Sequence, residues 1–174
     1  YIDTDEGDVR KFSWSVLGRA IDLKTSERVY ISGDQLGPIV QTPQNHPEIA
    51  EWLPSVRDFI GEPGNGAKGI RPYGRLIYEH AANKSTVRTR LVETYSALNR
   101  EFPQLNAWRI YLVAGTSGGT GSGMSIPLSY DLVNWALFQR GLRTAKFCSF
   151  FVLPPLAITG RHDRFHQNAY AFLR

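Results

Sequence analysis

The chain switches between two rhythms of hydrophobic and polar positions, and the switches mark its elements. Tyr1-Ile2 reads as the tail of a strand that runs into an acidic loop at Asp3-Thr4-Asp5. Glu27–Ser32 alternates, is rich in β-branched residues and meets Gly33-Asp34, the pattern of a short strand and a turn. Positions 35–54 are proline-rich and polar, which predicts loop with a short helix over 47–53. Pro47 fits the first turn of that helix, where its missing N–H costs nothing. A glycine-rich segment, 61–69, precedes a predicted helix over 72–82. Val87, Leu91, Tyr95, Leu98 and Phe102 then recur at spacings of three and four, one face of a longer helix that Pro103 stops.

The second half is more apolar. Arg109–Ala114 is a continuous apolar run, as expected of a strand in a sheet covered on both faces. A loop with four glycines, Ser117–Gly123, follows directly. Met124–Arg140 has helical spacing, with Leu128, Leu132, Trp135 and Leu137 inward and Gly141 as the cap. Lys146–Leu153 reads as a second buried strand ended by Pro154-Pro155, with Cys148 in the core. A last helix runs from Arg164 to the end. Strand, glycine loop, helix and strand make a parallel βαβ unit. The expected fold is therefore α/β, a Rossmann-like parallel sheet flanked by helices, in one domain. Ligands in such sheets bind at the carboxyl ends of the strands. The loops in reach of those ends are 3–5, 115–123 and 154–164, and the loop at Gly66–Gly69 precedes a helix that can cap the same pocket.

Composition narrows the classes. The chain has 174 residues, 42% of them apolar and 21% charged, ordinary for a globular domain. No apolar run reaches the length of a membrane span, and the acidic start is unlike a signal peptide. The single cysteine excludes an internal disulfide and fits the cytoplasm. The net charge of +4 is spread among acids without a basic run, so a nucleic-acid partner does not fit.

The chemistry sits in the glycine loop. A phosphate needs several N–H donors converging on it, and glycines let the backbone come close. A helix that starts at the loop adds its free N–H groups and the positive end of its dipole. In Ser117-Gly118-Gly119-Thr120-Gly121-Ser122-Gly123, Thr120 and Ser122 add hydroxyl donors. The loop has no lysine, so it is not a Walker loop, and the dinucleotide pattern of glycines fails at its last position. Ser117 has no His and Asp partners for a hydrolase triad. His162 and His166 stand four apart but lack the further ligand and base of a metal helix, and read as a solvated face.

Every position from Ser117 to Gly123 matches the glycine-loop signature of the tubulin and FtsZ superfamily, which the chain resembles. Asp3-Thr4-Asp5 is similar to that family's Asn-Thr-Asp element. Gly66-Ala67-Lys68-Gly69, with Gly74-Arg75 beyond it, resembles the loop that meets the γ-phosphate, although Lys68 stands where FtsZ has glycine. Phe151–Leu156 resembles the strand and proline loop before the ribose contacts. Gly160 and Arg164 lie in that ribose stretch, where the usual glutamate is replaced, Thr159 standing nearest. The divergence is similar to that of prokaryotic tubulin-like proteins.

The resemblance implies GTP or GDP with Mg²⁺ as ligands. Ser117–Gly123 and Gly66, Ala67, Lys68 and Gly69 would lie at the phosphates, Arg164 at the ribose or base, and Asp5 near the metal through water. It further implies head-to-tail assembly with copies of the same chain and GTP hydrolysis at the subunit contact. The family's first strand would precede Tyr1. Its catalytic acid would follow Arg174, so the chain alone is expected to bind weakly and not to hydrolyse. Two alternatives stand beside this reading: a non-polymerising nucleotide-binding sensor or scaffold, and a Rossmann-like enzyme. The enzyme would need an acid at the end of the next strand, where Leu153-Pro154-Pro155 stands.

Overall fold

The computed structural model describes residues 1–53, 60, 64–104, 107–154 and 163–174. They form two compact units, residues 1–66 with 77–101, and residues 67–76 with 102–174.

In the first unit, β1 (Ile2–Asp3) pairs in parallel with β4 (Val29–Tyr30). The Val29 amide donates to Tyr1 O at 2.8 Å and the Ile31 amide to Asp3 O at 3.1 Å. Between them lie α1 (Glu6–Arg10) and a hairpin of β2 (Trp14–Val16) and β3 (Arg19–Ile21). The hairpin turn is Leu17-Gly18, both at positive φ, as a two-residue turn of the I′ kind requires. Short helical turns follow, including α2 (Gly37–Gln41) and α3 (Pro47–Ala50), the latter inside the span expected from the sequence. Val9, Val29, Ile31, Leu36, Val40, Ile49 and Leu53 are buried.

The amphipathic pattern of the second quarter becomes α4 (Arg71–Glu79) and α5 (Ala81–Glu101), the latter ending two residues before Pro103. Val87 is buried, but the apolar face is covered only near the helix start: Leu98 and Phe102 are exposed. Asn83 is buried near that start, and its Nδ2 donates to Ser32 O at 2.8 Å and Ile77 O at 2.7 Å.

The second unit holds the βαβ core: β5 (Arg109–Gly115), α6 (Gly119–Asn134) and β6 (Lys146–Val152), followed by α7 (Asp163–Leu173). The strands are parallel, as read, from Arg109↔Lys146 to Gly115↔Val152. Leu128, Leu132 and Trp135 are buried, as expected of the inward face of α6. The helix closes through a π-helical turn, Trp135–Gln139, and Gly141 at φ +65°, where the Leu142 amide donates to Ala136 O.

Three expectations need correction. α6 begins at Gly119, five residues before Met124, so the rear of the glycine loop is itself helix. The apolar strands are not covered on both faces. Register puts Tyr111, Val113, Phe150 and Val152 on one face, and all four are more than half exposed. Cys148 shares that face and is exposed rather than core. The parallel βαβ pair stands, but the described strands make three two-stranded sheets rather than one Rossmann-like sheet.

Candidate functional site

In the second unit the site is built around the start of α6. β5 ends at Gly115, and Thr116 ties that end down: its amide and its Oγ1 both donate to Val152 O, at 3.0 and 3.1 Å. Gly118 is the N-cap of α6, at φ −76° and ψ 163°, and no side chain caps the helix. The first amides of a helix have no partner within it, so an uncapped start keeps donors and the positive dipole end for a ligand.

The glycines of the loop do two different jobs. A Cβ at Gly119 would stand 2.7 Å from both Ala67 O and the Ile70 amide. One at Gly123 would stand 2.6 Å from the Arg75 amide and nearer still to Arg71 O, and one at Gly121 would strike Gly115 O. These three glycines let the start of α6 lie against β5 and α4 backbone to backbone. Of the loop's glycines, Gly118 is the one with nothing among the described residues within 4 Å of its would-be Cβ. Ser122 is buried and its hydroxyl donates to Gly118 O, so that hydroxyl is spent on the helix start and the expectation of two hydroxyl donors does not hold for Ser122; Thr120 is half-buried.

Ala67–Ile70 forms a tight turn against this start. The Ile70 amide donates to Ala67 O at 2.8 Å, and Lys68 and Gly69 both have positive φ, +53° and +66°. Ala67 is buried and Lys68 exposed. Lys68 occupies a left-handed position that favours glycine.

Three residues that sequence reasoning missed, or read differently, hold this arrangement. Gly74 on α4 faces Gly119, and a Cβ there would stand 2.7 Å from the Gly119 carbonyl carbon. Arg71 reaches across, its Nε donating to Ser122 O at 3.1 Å and its Nη1 to Ala171 O at 2.9 Å, with the guanidinium over the Phe172 ring. Burial, then the charge of Arg75, hold the Arg71 guanidinium below its ordinary pKa. Asn168 on α7 is buried and donates to Gly69 O and Ser117 O. Its only signal in the sequence is a polar residue beside Ala169 in the stripe of Phe165 and Phe172.

In the first unit the acidic turn is self-contained. Asp3 Oδ1 accepts from the Thr4 and Asp5 amides, and Thr4 is fully buried. Asp5 caps α1, accepting from the Gly7 and Asp8 amides at 2.8 and 3.2 Å. The Gly66 amide donates to Thr4 O at 2.7 Å, so the structure brings Gly66 beside the turn that carries Asp5. Among the described residues no group of three or more His, Cys, Asp or Glu is placed to hold a metal. Arg164 lies in the first turn of α7, its side chain outside what is described, and residues 155–162, with Thr159, Gly160 and His162, lie outside the described residues.

A strand, an uncapped glycine N-terminus and a helix, matched at every loop position to one superfamily signature, raise the question of kinship. The family model described as tubulin-like matches residues 1–174, the whole chain. The chain belongs to the tubulin-like family. Neither a curated protein nor a solved structure matches it. Within this tubulin-like chain the signature loop coincides with the uncapped start of α6. No helix among the described residues is long and apolar enough to cross a membrane.

Proposed function

We propose that this chain binds the phosphates of GTP at the start of α6 and assembles head to tail with copies of itself, GTP hydrolysis belonging to the assembled state. The observation that supports the reading is Gly118. In a tubulin-like chain, the one loop glycine whose missing side chain no packing among the described residues explains is the N-cap of a helix without a side-chain cap. An anion at that point would meet the first-turn amides and the helix dipole. Lys68, on the turn that abuts Gly119, would supply a positive charge beside the terminal phosphate. Mg²⁺ would arrive with the nucleotide, since oxygen ligands from phosphate and water suit it and few protein ligands are needed. Asp5, expected from the resemblance near the metal, is engaged through Oδ1 in capping α1.

The test is calorimetric titration of GTP, GDP, ATP and NAD into the protein with Mg²⁺, beside the variant Gly118→Asp. Aspartate suits an N-cap of this geometry and should keep or raise stability by a few tenths of a kcal/mol. Its carboxylate would occupy the anion's place. The expected result is GTP binding in the native chain and none in the stably folded variant. Pelleting with GTP but not GDP would then support assembly. GTP binding without pelleting favours the sensor or scaffold reading. Undiminished GTP binding in the variant would move the phosphates elsewhere.

A further inference from the structure

Two loops meet the start of α6 in the second unit, and one buried side chain holds both. The Asn168 Nδ2 donates one hydrogen bond to Gly69 O at 2.9 Å and another to Ser117 O at 2.8 Å. Gly69 belongs to the Lys68 turn, Ser117 opens the glycine loop, and 51 residues separate Ser117 from Asn168. The residue is only 8% exposed, so water has little access to take its place.

We propose that Asn168 is a positioning residue that locks the Lys68 turn to the glycine loop, so that the two loops present their backbone to an anion as one preset body. The chemistry suits asparagine. A primary amide carries two N–H donors on one nitrogen, and both are used on carbonyls of loops that lack a regular ladder. Aspartate has the same shape but would turn lone pairs toward two carbonyl oxygens. Alanine would leave both carbonyls in a site that is largely closed to water. Docking of α7 does not hang on this residue alone. Arg71 donates to Ala171 O, and the Phe172 ring meets Phe151 with centroids 4.6 Å apart. A change at position 168 should therefore loosen the loops and leave the helix in place.

That the anion is a nucleotide phosphate rests on the function proposed above; the lock between the loops does not. Amide hydrogen exchange by mass spectrometry on the ligand-free protein tests the lock directly, comparing the native chain with Asn168→Ala and Asn168→Asp. Segments 67–71 and 115–119 are expected to exchange at least about fivefold faster in both variants, with β5 and β6 unchanged. GTP affinity is expected to fall about tenfold, and saturating GTP to restore native protection in both segments by mass action. If Asn168→Ala does not fold, the isosteric Asn168→Asp carries the test. Faster exchange in one segment only, in neither, or throughout the chain including the strands would overturn the proposal. So would loosened loops with GTP affinity unchanged. If the native chain binds no GTP, the functional reading fails, and the exchange data alone decide whether the lock exists.

Discussion

Replacing Gly74 by alanine sets two known effects against each other, and the structure says which wins. Gly74 lies inside α4. Helix propensity alone predicts that Gly→Ala in a helix interior stabilises by about 1 kcal/mol. The neighbours predict the opposite. The new methyl would stand 2.7 Å from the Gly119 carbonyl carbon and 3.2 Å from the Thr120 Cα, with the Gly119 oxygen closer than either. All of these are backbone atoms at the start of α6, so no side chain can swing aside. Relief requires α4 and α6 to separate by about 1 Å, near the upper end of overpacking costs, about 3 kcal/mol. The net expectation is a loss of about 2 kcal/mol, which for a chain of this size lowers the Tm by roughly 4–8 °C. Thermal and urea unfolding followed by circular dichroism measure it. Gly118→Ala is the matched control, because nothing among the described residues lies within 4 Å of its would-be Cβ and its φ is negative. As alanine is a poorer N-cap than glycine, it should cost no more than about 1 kcal/mol. If Gly74→Ala melts at or above the native temperature, the close crossing of α4 and α6 is wrong.

The remaining predictions concern the same unit. Lys68→Gly should raise stability by up to about 1 kcal/mol by relieving a left-handed lysine, yet weaken GTP binding through loss of charge; unfolding and titration on one sample separate the two effects. Arg71→Lys should cost about 1–2 kcal/mol, because a single ammonium cannot serve Ser122 O and Ala171 O in the fork geometry of a guanidinium, and the loss should appear as a lower urea midpoint. Cys148 should react with a soluble thiol reagent in the native protein, one equivalent per chain without denaturant, since it lies exposed on β6. A thiol that reacts only after unfolding would return that face of the strand to the core.

What the sequence disclosed follows from what kind of signal each element carries. The βαβ unit was legible because its parts are long and its punctuation strong: an apolar run, a loop with four glycines, a helical period and a double proline. The hairpin at 14–21 was not, because its turn is Leu17-Gly18 rather than the Asn-Gly or Asp-Gly that announces a two-residue loop. The covering of the strands was misjudged for another reason. Apolar composition says what a residue can bury, not what lies against it, and Tyr111, Val113, Phe150 and Val152 are exposed all the same. The long helix misled in the same way, since its apolar face continues to Phe102 while the covered part stays near Val87. Asn168 and Arg71 were out of reach because their partners are main-chain carbonyls, which leave no mark on the residues that carry them.

The glycine loop was legible as a motif but not as a division of labour. Four glycines in seven residues read as a cradle in which each gives the ligand room. The structure gives most of that room to the protein itself. Gly121 admits the carbonyl that ends β5, while Gly119 and Gly123 admit the turn and backbone of α4. The start of α6 is thereby clamped between a strand end and a second helix, with Arg71 and Asn168 fastening α7 beside it. A helix terminus held this way cannot fray to meet a ligand, so under the proposed function its amides would have to point to the ligand's place beforehand. Such preorganisation would turn weak, water-competing N–H donors into a useful anion site, because the ordering cost would fall on folding rather than on binding. It also means that loss of binding in a Gly119, Gly121 or Gly123 variant says nothing about phosphate contact until the fold is shown to survive. Gly118 is the position at which the two questions separate.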